Sequence, residues 1–194
     1  MANDFFAMIS RMKYIDRWAL MRNTDSENLS EHTKDTAVIA HALALIGNAR
    51  LGKHLNADRA ATLALYHDAH EILTGDMPTP VKYQNPDILT AFRSVENTAN
   101  EKLLSMLPDD LKKEYADILN SSADGDCELI PIIKAADKLS ALIKCIEERK
   151  AGNTEFLKAE LSLKKTLKSS DCAEARIFTE EFLAGFELTL DQIN

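Results

Sequence analysis

The 194-residue sequence predicts an all-α fold, a compact multi-helix bundle, and three observations carry that expectation. Apolar residues recur at helical spacing along nearly the whole chain. No stretch alternates apolar and polar residues cleanly enough for a half-buried strand. Only 6 Gly and 5 Pro are present, which leaves room for long uninterrupted helices. Short connections favour antiparallel neighbours. With no internal repeat or low-complexity segment, residues 1–194 read as a single domain long enough to bury a core.

The elements follow in order. "DFFAMISRMKY" carries Phe5, Met8, Ile9 and Met12 as an apolar helical stripe. "SEHTKDTAVIAHALALIGN" is expected to start with Ser30 as N-cap and to stop near Gly47. "NADRAATLALYHDAHEIL" is expected to run from Asn56 to just before Gly75 as one helix, followed by the turn "TGDMPTP". "PDILTAFRSVENTANEKLLSML" and "PDDLKKEYADIL" come next, with Pro86 and Pro108 in first helical turns, where a missing N–H costs nothing. "SSADGD" is the clearest loop, and "CELIPIIKAADKLSALIKCIEERKAGN" is a long helix closed by Gly152. Segments near 154–169 and 172–186 complete the bundle.

Composition narrows the function classes. A net charge of −8 argues against a polymer nucleic-acid surface, because phosphate backbones repel an acidic face. A small phosphate ligand stays open, since it needs only a local cation or metal. Cys127, Cys145 and Cys172 are odd in number and far apart, with no CxxC pair, so neither a thiolate zinc site nor a disulfide framework is expected. No signal peptide and no apolar run of about 20 residues is seen, so the expectation is a cytoplasmic protein without membrane contact.

Helical geometry then sorts the polar residues. At about 100° per residue, Ala60, Leu63, Ala64, His67 and Glu71 share one stripe, with Asp68 and His70 on its flanks. His32 begins another apolar stripe with Thr36, Ile39, Leu43 and Ile46. A single inward histidine is more often a core residue satisfied by a hydrogen bond, and that reading competes for His32. The His67, Asp68 and Glu71 group is different, because several uncompensated polar groups at one buried spot are costly. Two inward histidines beside a carboxylate suit a divalent transition ion. His41 and His70 read as packing or hydrogen-bonding residues, and His54 as exposed. Asp137 shares its sector with Lys134, Lys144 and Glu148, so spacing alone places it on a solvated face paired with Lys134.

Two further segments can serve a phosphate ester. "RMKYIDRWALMR" sets Arg11, Lys13, Arg17 and Arg22 against the one acid Asp16. A guanidinium binds phosphate through paired hydrogen bonds, and the Trp18 indole can pack on a sugar or base. The alternative is a solvated basic helix end with Trp18 half-buried. "GDMPTP" offers a rigid turn, backbone donors and the Thr79 hydroxyl, or merely a proline-stiffened connector. Lys82 could also approach phosphate.

A separate histidine, a His-Asp doublet and a distant aspartate in an "AAD" context resemble the HD superfamily of metal-dependent phosphohydrolases. "RMKYIDRWALMRN", "ENLSEHT", "LYHDAHEILTGDMPTPVKY" and "KAADKLSALIKCIEE" together are similar to the bacterial 5′-deoxynucleotidases of the YfbR-like group, over nearly the whole chain. The resemblance implies an HD-domain bundle with His32, His67, Asp68 and Asp137 as ligands of one divalent ion such as cobalt, manganese or zinc. It implies Glu71 as the catalytic acid–base or water-positioning residue. Arg17 and Trp18 would touch the substrate and help distinguish deoxyribose from ribose. Asp76, Met77, Pro78 and Thr79 would form the nucleotide loop, and His32, Asp68 and Asp137 would contact the substrate as well. The implied partner is a 2′-deoxynucleoside 5′-monophosphate, hydrolysed by metal-activated water in a homodimer. Within the superfamily, a cyclic-nucleotide phosphodiesterase or a guanosine tetraphosphate hydrolase is the alternative. Outside enzymes, a nucleotide-sensing module is the rival, although a sensor needs no water-activating carboxylate.

Overall fold

A computed structural model describes residues 3–82, 85–121 and 123–193, with only the backbone described for Thr79 and Pro80. Tyr83 of the loop motif and Ser122 of the expected "SSADGD" loop lie outside the described residues, as does the Thr79 side chain. The helices are α1 (Phe5–Ile9), α2 (Leu29–Leu51), α3 (Ala57–Tyr66), α4 (Glu71–Thr74), α5 (Thr79–Lys82), α6 (Pro86–Ser105), α7 (Asp109–Leu119), α8 (Asp126–Lys150), α9 (Leu157–Lys168) and α10 (Ala173–Glu181). Short 3₁₀ turns extend α1 to Tyr14, precede α9 and follow α10. Among the described residues the only β pairing is an isolated bridge between Asp16 and Asn28, so the all-α expectation holds. No described helix is long and apolar enough to cross a membrane.

Caps explain where the boundaries differ from the expected ones. Helix α2 starts at Asn28, not Ser30. The Asn28 side chain accepts from the Glu31 N–H at 3.1 Å, and the Glu31 carboxylate accepts from the Asn28 N–H at 3.0 Å. This reciprocal pair satisfies two donors that a helix end leaves free. The helix also runs through Gly47 and ends at Gly52, whose φ of 67° suits a residue without Cβ. Gly47 is instead a contact point, packed against Glu174 and Leu55. Asn56 caps α3 as expected, accepting from the Arg59 N–H at 2.9 Å. Pro86 occupies the first turn of α6, whereas Pro108 is the cap residue of α7.

Long helices α2 and α8 pack with α3 around the main core, built from Ala40, Leu43, Leu63, Ala64, Ala136, Leu139, Leu142 and Ile146. Alanines on all three helices let the backbones approach closely. A second, smaller core gathers Phe5, Ala69, Leu103, Leu107 and Leu119. Ala69 belongs to the turn that carries the His-Asp doublet, so this turn is clamped between both cores.

Candidate metal and substrate site

The expected continuous helix over 57–74 is broken, and the break builds the site. After Tyr66 the chain tightens: Ala69, Glu71, Ile72 and Leu73 each donate N–H to the carbonyl three residues back. The Ala64 carbonyl accepts from His67 Nδ1 at 2.7 Å. That bond places the ring proton on Nδ1 and leaves a lone pair on Nε2. His67 Nε2 lies 3.0 Å from Asp68 Oδ2 and is buried without a hydrogen-bond partner among the described residues. Two acceptors facing each other at that distance need a proton or a cation between them.

His32, fully buried in the second turn of α2, faces the same spot. Its Nε2 is 3.1 Å from Asp137 Oδ1, 3.8 Å from Asp68 Oδ2 and 3.4 Å from the Thr36 hydroxyl. Its Nδ1 lies 3.2 Å from the Ser140 hydroxyl and 3.8 Å from Glu27 Oε1. A carboxylate beside Nδ1 favours the proton there and turns the Nε2 lone pair toward the two aspartates. Ligand atoms of His32, His67 and Asp68 all lie within 4.8 Å of one another. Asp137 joins through His32 with 39% of its side chain exposed. The structure thus brings together all four residues that the resemblance implies.

Asp137 corrects the reading from spacing alone. It faces His32 rather than a solvated surface. Lys144 and Glu148, whose charges suggested solvent, are themselves buried as a mutual ion pair. Lys144 also donates to the Asp25 carbonyl, and Glu148 accepts from the Thr24 and Asp25 N–H groups and from Asn153. This network fastens the 17–28 segment to α8 and so brings Arg17 and Trp18 to the cluster.

Arg17 Nη1 lies 3.6 Å from Asp68 Oδ2. Burial opposes its charge, yet Asp68, Glu27, Asp76 and Asp137 more than offset this and raise its pKa. Trp18 sits at φ 57°, uncommon for a bulky residue, with its ring centroid 5.2 Å from that of Phe156. Its indole N–H donates to Glu27 Oε2 at 2.9 Å, and Arg17 Nε reaches the same oxygen at 3.4 Å. Arg11, Lys13 and Arg22 are exposed, as the solvated-end reading has it.

Glu71 is buried beside the cluster, with Oε2 lacking a hydrogen-bond partner among the described residues. Burial, together with Asp68 and Asp76, pushes its pKa up to about 9. His67 is likewise pushed up to about 9, because Asp68 and Asp137 outweigh its burial. Burial opposes ionisation of Asp68, but His67, His32 and Arg17 hold it well below the ordinary carboxylate range. The upward shifts of Arg17, His67 and Glu71 report an excess of carboxylates at a buried spot, whereas Asp68 is lowered because the cationic groups face it. A divalent ion on the two imidazole nitrogens and two carboxylates removes that excess, so the donor set fits a nitrogen- and oxygen-liking cation.

The "DMPT" segment stands next to the cluster, with Asp76, Met77 and Pro78 half-buried and Asp76 close enough to act on both Arg17 and Glu71. Gly75 makes the bend at φ 75°. Thr79 begins the single turn α5 rather than closing a connector. Lys82 Nζ binds Glu96 Oε1 at 2.7 Å, and His70 Nε2 lies 3.4 Å from that oxygen, so His70 packs as expected. His41 approaches Asp58 at 3.7 Å, and His54 is exposed. The three cysteines are free. Sequence reasoning missed Glu27 and Ser140. Ser140 follows Asp137 by one helical turn and was findable; Glu27 precedes its helix, where periodicity has no reach.

The chain matches the model of the family described as 5′-deoxynucleotidase YfbR-like over residues 4–186. The 5′-deoxynucleotidase of Erwinia tasmaniensis is 48% identical over 190 residues, covering 98% of this chain and 96% of the relative. The 5′-deoxynucleotidase YfbR of Escherichia coli is 47% identical, covering 98% and 95%. Among solved structures, an HD-domain phosphohydrolase from Listeria innocua aligns with a TM-score of 0.79 at 22% identity, covering 94% of this chain and 88% of that one. The cyanophage S-2L HD phosphohydrolase DatZ, bound to dA and one catalytic Zn2+ ion, aligns with a TM-score of 0.62 at 18% identity, covering 92% and 96%. Both structures share the fold. With a family match along most of its length and relatives nearly half identical from end to end, the chain belongs to the 5′-deoxynucleotidase YfbR-like family.

Proposed function

We propose that this chain is a metal-dependent 5′-deoxynucleotidase, which hydrolyses 2′-deoxynucleoside 5′-monophosphates to deoxynucleoside and phosphate. The observation that carries this reading is the convergence of the His32 and His67 Nε2 lone pairs on Asp68, with Asp137 alongside and His67 Nε2 buried without a hydrogen-bond partner among the described residues. The relatives named for deoxynucleotide hydrolysis and the neighbour bound to dA support the same substrate class.

His32, His67, Asp68 and Asp137 would hold one divalent ion. When bound, such an ion lowers the pKa of water and offsets charge on phosphoryl oxygens. Zinc, cobalt and manganese all suit these donors, and the DatZ neighbour with its catalytic Zn2+ supports a divalent metal. Arg17, against Asp68, would receive two phosphoryl oxygens through its guanidinium fork. Glu71, with a carboxylate oxygen within 4.8 Å of one of Asp68, would orient the attacking water and exchange a proton with it. No side chain need bond to phosphorus, so attack is direct. Asp76, Met77, Pro78 and Thr79 would line the nucleoside side, and the Trp18–Arg17 arm would select deoxyribose. We place the reaction in the cytoplasm, a compartment that three unpaired cysteines suit, in a single-domain protomer of a homodimer.

The test is phosphate release from paired deoxyribo- and ribonucleoside 5′-monophosphates over a panel of divalent ions. Ion-dependent release from the deoxy member is expected, with little from the ribo member. Equal turnover of both removes the sugar-selecting role of Arg17 and Trp18. Light scattering tests the dimer, which should have twice the 21.6 kDa chain mass.

A further inference from the structure

Between the candidate metal ligands and the arm that carries Arg17 and Trp18 stands one buried carboxylate, Glu27, 9% exposed. One of its oxygens, Oε2, accepts from the Trp18 indole at 2.9 Å and from Arg17 Nε at 3.4 Å. The other, Oε1, lies 3.8 Å from His32 Nδ1, whose nearer partner is the Ser140 hydroxyl at 3.2 Å. Each oxygen therefore faces a different part of the site. The main chain ties them again: the Arg17 N–H donates to the Glu27 carbonyl at 2.9 Å, and Asp16 bridges to Asn28. Trp18 is held at a positive φ, a conformation that persists only where surrounding contacts over-determine it. The Met21 N–H bond to the Trp18 carbonyl at 2.8 Å, the Glu27–indole bond and the Phe156 contact are among those contacts.

We infer that Glu27 is a positioning residue that couples occupancy of the metal site to the placement of Arg17 and Trp18. A cation on His32 Nε2 draws electron density from the ring and strengthens Nδ1–H as a donor. Glu27 Oε1 then moves closer to Nδ1, and because both oxygens belong to one rigid carboxylate, Oε2 shifts the indole and the guanidinium with it. Metal therefore orders the substrate arm, and by linkage an ordered arm tightens metal binding by the same factor. The inference rests on the metal-site reading above, and its test separates the two.

Trp18 is the chain's single tryptophan, so its fluorescence reports the arm directly. Zinc, which has no absorbance of its own, is titrated into the metal-free full-length protein while emission is followed. Zinc affinity is measured separately by competition with a chelator. Wild type is expected to bind zinc with a change in Trp18 emission. Glu27→Gln is expected to bind about 10-fold more weakly, the lower end for loss of a group that supports a ligand histidine, and to lose the emission change. Ser140→Ala also weakens zinc binding but keeps the emission change, because Glu27 still stands between Nδ1 and the indole. If Glu27→Gln does not fold, Trp18→Phe serves, since it removes the indole donor while keeping an aromatic ring against Phe156: zinc affinity should fall several-fold although residue 18 touches no ligand. Wild-type zinc affinity in the folded variant, or an unchanged emission response in Glu27→Gln, overturns the coupling. Absence of zinc binding in wild type overturns the metal site itself.

Discussion

His67 Nε2 lies 3.0 Å from Asp68 Oδ2 while His67 Nδ1 is pinned to the Ala64 carbonyl at 2.7 Å. Adjacent residues in a regular helix point about 100° apart and do not meet. Here they meet because the chain tightens after Tyr66, and the result is a pair of acceptors aimed at one point.

That geometry makes metal a stabilising ligand of the folded state. Ions held at 100 times their dissociation constant add about 2.7 kcal/mol. For a chain of this length the midpoint of thermal unfolding should rise by roughly 5–10 °C. Differential scanning calorimetry with and without a chelator checks this, and the rise should be absent in His32→Ala.

Glu71→Gln separates chemistry from binding. The carboxyl group sits buried beside the cluster with one oxygen unpartnered among the described residues, and burial with Asp68 and Asp76 pushes its pKa up to about 9. An amide of the same shape keeps the packing and loses the proton exchange. Turnover should fall by about 10²–10⁴-fold, with zinc affinity within a few-fold of wild type by chelator competition.

The Lys144–Glu148 pair under the 17–28 segment gives a pH signature. Burial opposes ionisation of Glu148, but Lys144, the Thr24 and Asp25 N–H groups and Asn153 lower its pKa to about 2. A folded pKa below the ordinary 4.5 means the stabilisation is full above 4.5 and fades as pH falls toward 2. Its size is about 3 kcal/mol at neutral pH. In urea denaturation, Glu148→Gln should be less stable than wild type by about that much at pH 7, and the gap should shrink by more than half at pH 3. A gap independent of pH contradicts the assignment.

Gly47 lies inside α2, where alanine normally adds about 1 kcal/mol. A Cβ there would stand 2.8 Å from Glu174 Oε1, 3.2 Å from Leu55 Cδ1 and 3.3 Å from Glu174 Cγ. Glu174 is fully buried and its carboxylate is bound to Lys53 at 2.6 Å, so it has no room to swing away. Gly47→Ala should therefore destabilise by about 1–2 kcal/mol in spite of its propensity, measured by denaturant unfolding at pH 7.

What the sequence revealed follows from period and local chemistry. The stripes through His32 and through His67 and Glu71 were legible because buried helix faces repeat every 3.6 residues, and those residues are indeed inward. The break after Tyr66 was not legible, since a side chain taking a carbonyl leaves no mark in apolar spacing. Asp137 failed the spacing test because buried Lys144 and Glu148 neutralise each other, and in sequence a paired charge is indistinguishable from a solvated one. Its assignment came from the family motif, as did that of the "DMPT" loop. Glu27 lay beyond both, in a segment whose course is set by contacts with α8 more than 120 residues away.

The most direct measurement is deoxynucleoside 5′-monophosphate hydrolysis by His67→Ala, confirmed as folded by circular dichroism, with zinc, cobalt or manganese added in excess. With the ligand gone and its partner Asp68 left facing an empty corner, phosphate release should fall at least 100-fold with every ion. Wild-type turnover in that variant would contradict a metal centre built on His32, His67, Asp68 and Asp137.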